Sequence, residues 1–171
     1  MQSGLLTSRT IQAHCTFLDV PSLSHVAQKG TAIAHCPLSN AYFSAAPFRL
    51  REALDNGVKV GLGTDIAGGY DIDIMSAMRH AVTVSRMREG SRHLQHAADG
   101  TKLDEHKALS IDWKESLYLA TAGGADALGL GANAGRFVLG APFDAQCSEY
   151  MKPVTVHFLT SAFFVARSQD S

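Results

Sequence analysis

The sequence predicts an α/β fold made of parallel strand–helix units, and two features of the chain support this class. Short apolar runs that suit buried strands alternate with segments whose apolar residues follow helical spacing. Glycines and prolines separate these segments, as expected of βα units. The 171 residues suit one domain, and a content of 46% apolar and 18% charged residues is typical of a globular interior.

The predicted strands cover residues 10–16, 31–37 and 58–64. The first two share a pattern in which a small apolar run ends in His-Cys, which places His14 and His35 near the strand exits. The third, VKVGLGT, runs directly into Asp65. Because parallel strands end at the same edge of a sheet, we expect these three side chains to share one crevice.

Helical spacing predicts helices over residues 18–29, 47–56, 72–88 and 112–122, with a short helical turn over 125–130. Gly30 and Gly57 suit the ends of the first two helices, and Asp112 suits the N-cap of the fourth, which Gly123 and Gly124 would close.

The remaining segments break this rhythm. Residues 89–109 are polar and hold three histidines without ligand spacing, so we expect a solvated surface loop there. Residues 135–145 suggest two short strand pieces around a Gly-Ala-Pro turn. Residues 146–171 are rich in strand formers, but no partner for them is evident in the sequence.

Charge and composition exclude several classes of partner. A net charge of −1 without a sustained basic run argues against a nucleic-acid or anionic-membrane surface.

The chain has an odd number of cysteines, Cys15, Cys36 and Cys147, and none of them lies in a CxxC motif. This usage is typical of reduced thiols. The amino terminus has no signal-peptide core, and the apolar stretch 154–166 is too short to span a bilayer. A cytoplasmic protein is the expectation.

Nucleotide motifs and common hydrolase motifs are missing. GLGTDIAGG has Ile66 where GxGxxG needs glycine, no P-loop follows it, and HExxH, GxSxG and PCxxC do not occur.

Imidazole and carboxylate groups at neighbouring strand exits suit a divalent metal and its water. Two alternatives stay open: Asp65 could cap the next helix, and either histidine could be a hydrogen-bonded core residue.

Five blocks carry a resemblance to a known family: RTIQAHCTFL, AHCPLSN, VKVGLGTDIAGGY, LYLATAGGADALGL and GRFVLGAPFDA. Their order and spacing over residues 4–145 resemble the guanine deaminase family of the zinc-dependent amidohydrolase superfamily. The resemblance implies a partial (β/α)8 TIM-type barrel, its last three βα units, running into a small β-sandwich. Residues 4–130 would belong to the barrel and 131–147 to the start of the sandwich, which leaves 148–171 as an unassigned tail.

The same resemblance implies catalytic roles for Asp65 and His14. Asp65 matches the family's Zn²⁺ ligand, which also accepts a proton from the attacking water, and His14 matches the histidine that faces the substrate. His35 matches a structural position. The implied reaction is hydrolytic deamination of a small-molecule purine, guanine, to xanthine and ammonia; another heterocycle is the close alternative.

The chain also departs from the family pattern. It has neither the H-x-H that supplies two zinc ligands nor the H-x-x-E that supplies a third ligand and the proton shuttle. One ligand out of four does not hold zinc. We therefore expect the chain to be a fragment of the family's catalytic domain that is inactive when isolated. Three barrel strands would leave two open edges, which favour aggregation or pairing with another chain, including a homo-oligomer. A non-catalytic truncated fragment is therefore the second hypothesis, and an unrelated α/β binding protein is the third.

Overall fold

The computed structural model describes residues 4–102 and 108–141, together with the backbone of 146–148, 155–159 and 163–167. Three parallel strands form its first sheet, in the order β1-β2-β3. These strands are β1 (Ile11–Ala13), β2 (Ala32–His35) and β3 (Lys59–Leu62). Each lies inside a predicted run, so the parallel α/β arrangement is confirmed.

Six helices surround or follow these strands in the described part of the chain. They are α1 (Val20–Gln28), α2 (Pro37–Phe43), α3 (Leu50–Asp55), α4 (Ile74–Asp99), α5 (Trp113–Ala120) and α6 (Ala122–Leu128). Helix α1 connects β1 to β2, and α2 and α3 connect β2 to β3. None of the helices that the structure describes is long and apolar enough to cross a bilayer.

The region between β2 and β3 differs from the prediction. Pro37 opens α2 at its first position instead of only breaking the strand, because proline is well suited to a helix start, where no backbone N–H is needed. The predicted helix 47–56 is shorter and begins at Leu50. Gly57 does follow its end with a φ of 76°, as the sequence indicated.

The predicted solvated loop over 89–109 is wrong in its first half, because α4 continues to Asp99. Glu89 receives hydrogen bonds from Arg92 at 2.5 Å and from the His93 ring at 3.1 Å, which are the i, i+3 and i, i+4 spacings that support a helix. Gly100, with a φ of 64°, caps the helix and so marks its end. Residues 103–107 lie outside the described part.

Asp112 caps α5 as predicted, and Glu115 completes a capping box. The predicted closure of α5 by Gly123 and Gly124 is wrong, since both glycines lie inside α6. They let α6 pack directly on β3: a Cβ on Gly123 would stand 3.0 Å from the Val60 carbonyl oxygen. A close approach between backbones therefore explains this glycine pair.

The carboxyl-terminal segments also differ from the prediction. Residues 135–141 form turns and no strand, with φ near 75° at Gly135 and 80° at Gly140, whereas 142–145 lie outside the described residues. The stretch that had no evident partner contains β4 (Gln146–Ser148), β5 (Thr155–Leu159) and β6 (Phe163–Arg167). These three strands pair antiparallel in the order β4-β5-β6.

The hydrophobic core lies between the parallel sheet and its helices. Its centre joins Leu23 of α1, Ile33 of β2 and Leu119 of α5, all fully buried. Full burial of each such side chain contributes about 1.5–3 kcal/mol. The core therefore fixes the strands whose exits carry the polar residues.

Candidate active site

His14 and Asp65 come together at the carboxyl end of the parallel sheet. The backbone N–H of His14 donates to the Ala34 carbonyl at 3.0 Å, which continues the pairing of β1 with β2 beyond the strand. On the other side of β2, the N–H of Gly63 donates to the His35 carbonyl at 2.9 Å, which continues the pairing of β2 with β3. His14 Nε2 then lies 3.8 Å from Asp65 Oδ2, with both side chains about half-buried. The expected crevice thus contains this pair.

Left-handed backbone places both side chains. His14 has a φ of 66°, Cys15 of 52° and Asp65 of 53°, in a region that non-glycine residues enter at a cost of about 1–2 kcal/mol. Such conformations persist only where the surrounding structure holds them, and they cluster at functional sites. The strain is therefore concentrated at the two strand exits that carry the candidate residues.

The turn after Asp65 requires glycine at two positions. The N–H groups of Gly68 and Gly69 both donate to the Asp65 carbonyl, the first at 2.7 Å. A Cβ on Gly68 would stand 2.5 Å from Asp65 Oδ2, and one on Gly69 would overlap the Thr64 carbonyl oxygen. The glycines of AGGY therefore bring the backbone tightly around the carboxylate. Asp65 is not a helix cap, because Asp73 caps α4.

His35 does not face the crevice. It is 2% exposed, and its ring packs on Phe48 with centroids 5.1 Å apart. Burial, with a smaller contribution from nearby His14, lowers the pKa of His35 to about 3. The ring is therefore neutral at physiological pH, as expected of a structural core histidine.

Asn40 connects the two histidines, although no motif in the sequence indicated a role for it. Its Oδ1 lies 2.8 Å from His14 Nδ1, and its Nδ2 lies 3.3 Å from His35 Nδ1. The side chain is 5% exposed, so the connection is shielded from water. A predicted helix start at Pro37 would have indicated this role of Asn40. Such a helix places Asn40 one turn into α2, directly beside the strand exit.

Neither described cysteine beside the crevice suits a nucleophile or a metal ligand. Burial, reinforced by the charge of Asp65, raises the pKa of Cys36 to about 11. Burial also raises the pKa of Cys15. Both thiols therefore stay protonated near neutral pH, which leaves the imidazole and the carboxylate as the reactive groups of the crevice.

An aromatic group lies on the carboxyl side of the sheet. The Tyr42 and Tyr70 rings lie 6.4 Å apart, and the Tyr70 hydroxyl is 2.6 Å from His80 Nε2. Both tyrosines are exposed. A cleft of about 690 Å³ between α2, α3 and α4 is lined by His35 and Asn40 but not by His14 or Asp65.

The described residues do not make a complete metal site. Over these parts of the chain, no three His, Cys, Asp or Glu side chains come together in an arrangement that could hold an ion. His14 Nε2 and Asp65 Oδ2 offer two ligand atoms at most, whereas zinc in proteins takes three or four. The donor types suit zinc, but their number does not.

Comparison with known proteins identifies the family of the chain. The model of the amidohydrolase family matches residues 1–170. The chain belongs to the amidohydrolase family. Human guanine deaminase is 38% identical to it over 144 residues, which make up 84% of this chain and 29% of that protein. The resemblance of the sequence blocks to guanine deaminases is confirmed.

Solved amidohydrolase structures support the same relationship. Escherichia coli guanine deaminase matches with a TM-score of 0.58 and 32% identity, over 75% of this chain and 26% of that one. An adenosine deaminase from Xanthomonas campestris, solved with bound zinc, matches with a TM-score of 0.56 and 28% identity over the same shares. The chain thus spans less than a third of these relatives.

Proposed function

We propose that this chain is the carboxyl-terminal part of a guanine deaminase, which converts guanine and water into xanthine and ammonia. The observation that supports it is the pairing of His14 with Asp65 at 3.8 Å, on the AHC and GTDIAGGY segments. Segments 4–130 would supply the last three βα units of an eight-stranded barrel, and 131–147 the start of a small β-sandwich. The tail 148–171 stays unassigned.

In this proposal Asp65 and His14 have separate tasks. The Asp65 carboxylate accepts a proton from the attacking water, and its backbone is held for this purpose by the Gly68 and Gly69 turn. His14 Nε2 contacts the purine or the water from the opposite side of the crevice. A zinc ion, when bound, would supply Lewis-acid activation of water, and Asp65 is the candidate ligand.

The ligand count makes the isolated chain inactive in this proposal. The described residues lack the further ligands, and the sequence lacks H-x-x-E, which would carry the proton to the leaving amine. The same count favours a second candidate, a non-catalytic fragment that pairs with another chain. The edge strand β1 fits this candidate, since Ile11 is 42% exposed and one side of β1 has no partner strand among the described residues.

The test compares the 171-residue chain with a chimera in which the upstream part of Escherichia coli guanine deaminase precedes it. Guanine conversion to xanthine is followed by ultraviolet absorbance with added zinc, and an Asp65→Asn chimera is the matched control. We expect turnover by the chimera alone. Turnover by the 171-residue chain would contradict the ligand count. A folded chimera that acts only on another heterocycle would contradict the substrate, and one that acts on none would favour the non-catalytic fragment.

A further inference from the structure

Asn40 joins His35 to His14 through two hydrogen bonds, and the far nitrogen of the His14 ring faces Asp65 at 3.8 Å. It is only 5% exposed, and both polar atoms of its amide are used on histidine rings. The bonds are 2.8 Å to His14 and 3.3 Å to His35. No part of the deamination mechanism above uses this side chain.

The chemistry of the amide fixes the direction of each bond. An amide nitrogen can only donate, so Asn40 Nδ2 donates to His35 Nδ1, which must be the unprotonated nitrogen of that ring. A neutral His35, as its burial requires, meets this condition by keeping its proton on Nε2. This tautomer matches the amide orientation in the structure, in which Nδ2 lies toward His35 and Oδ1 toward His14.

The other end of the amide is then determined as well. Asn40 Oδ1 can only accept, so His14 Nδ1 must carry a proton to donate to it. A neutral imidazole has one ring proton, which leaves a lone pair on Nε2. That nitrogen is the one that faces Asp65 Oδ2 at 3.8 Å.

We infer that Asn40 is a positioning residue that holds His14 in the Nδ1–H tautomer, so that Nε2 points toward Asp65 as an acceptor. In the opposite tautomer, His14 would present an N–H to the carboxylate and occupy it. With two acceptors facing each other, the gap instead favours a group that brings its own protons, such as water or an amine. This inference concerns the same site and rests on the proposed role of His14.

The test reads the tautomer directly and does not require turnover. Long-range ¹H–¹⁵N correlation spectra of the histidine-labelled 171-residue chain are recorded at about pH 8.5, well above the ordinary pKa of a histidine side chain. His14→Gln and His35→Asn variants assign the two rings. We expect Nδ1–H at His14 and Nε2–H at His35 in the unsubstituted chain. Nε2–H at His14 in that spectrum would overturn the inference.

Two substitutions test the cause. Asn40→Ala is expected to move His14 toward Nε2–H, whereas Asn40→Asp still accepts and is expected to retain Nδ1–H. The aspartate cannot donate, so it is expected to switch His35 to Nδ1–H, a reciprocal change that holds even if the alanine variant does not fold. Asn56→Ala removes an amide that donates to the Glu52 carbonyl at 2.7 Å and, within the described part of the chain, touches neither histidine; it is the matched control. An unchanged His14 spectrum in folded Asn40→Ala would refute the role.

In the active chimera, Asn40→Ala is expected to reduce kcat by about 10- to 100-fold with a smaller effect on KM, in line with the loss of other groups that orient a functional histidine. Asn40→Asp is expected to recover part of kcat. A chimera without guanine turnover would count against the proposed function alone, because the spectra report the tautomer either way. An unchanged kcat in an active Asn40→Ala chimera would contradict the positioning role.

Discussion

His14 Nε2 and Asp65 Oδ2 lie 3.8 Å apart although their strands, β1 and β3, are not neighbours in the sheet. Strand β2 separates them, so their backbones are about 9.5 Å apart at typical strand spacing. The left-handed φ values of both residues redirect the chain at the strand exits. The side chains can therefore converge across the end of β2.

Asp65 is expected to be essential for activity, yet replaceable without loss of the fold. Asparagine tolerates left-handed backbone better than alanine. In the chimera, Asp65→Asn should reduce guanine turnover by at least about 100-fold with little change in the free energy of unfolding, because it removes the proton acceptor. Asp65→Ala should be inactive and also lose about 1 kcal/mol of stability. Urea unfolding and the xanthine assay measure the two effects, and residual zinc-dependent turnover by Asp65→Ala would contradict the assigned role.

Gly69→Ala is expected to disrupt the turn around Asp65. An added Cβ would overlap the Thr64 carbonyl oxygen, so the backbone must shift by more than a side-chain adjustment allows. We expect a loss of about 2 kcal/mol or more in the 171-residue chain, measured by urea unfolding.

Gly90→Ala is the matched control for that substitution. Gly90 lies in α4, is exposed, and has open space where a Cβ would stand. Alanine should stabilise the chain there by about 0.5–1 kcal/mol, since glycine is a poor helix former. Equal effects of the two substitutions would contradict the packing of the Asp65 turn.

The sequence predicted the elements that follow local rules. Asp112 and Gly30 mark helix ends through capping chemistry, and His14 and Asp65 follow from the rule that parallel strands end together. It did not predict Asn40, because the role of that side chain depends on a contact between α2 and two separate strand exits. The extension of α4 was missed because Glu89 pairs with residues that looked like those of a solvated loop.

Stability is expected to depend on pH through His35. The pKa of this ring is about 3 in the folded chain and about 6.5 when unfolded, so only the unfolded chain takes up a proton as the pH falls below about 6.5. The free energy of unfolding should then decrease by about 1.4 kcal/mol per pH unit, which amounts to about 2 kcal/mol between pH 7 and 5. The stability is fully present above that window.

His35→Asn isolates this effect. Asparagine keeps an acceptor for Asn40 Nδ2 but does not titrate, so the variant should lose the slope that the unsubstituted chain shows between pH 7 and 5. Urea unfolding at each pH measures the free energy of unfolding of both proteins. The other histidines contribute equally to both, so their contribution cancels in the difference. Parallel pH profiles would show that His35 is accessible to protons in the folded chain.

The ion pair between Arg88 and Glu52 is expected to hold α4 against α3. Two hydrogen bonds of 2.9 and 2.6 Å join the groups, whose side chains are 12% and 15% exposed. Burial alone would raise the pKa of Glu52, but the bonds from Arg88 hold it below its ordinary value. Arg88→Met removes both bonds and leaves this carboxylate with the longer contact to Arg49, at 3.8 Å, so it should cost about 3 kcal/mol in urea unfolding.

A double substitution and an exposed pair complete this test. Arg88→Met with Glu52→Leu removes both charges and should regain most of the stability, because the cost arises from a largely buried carboxylate that has lost its two close hydrogen bonds. Arg136→Met breaks the more exposed pair with Asp126, whose atoms lie 2.9 Å apart, and should cost less than about 1 kcal/mol. If Arg88→Met were no more harmful than Arg136→Met, the contact between α3 and α4 would have to depend on the apolar residues of the cleft rather than on this pair.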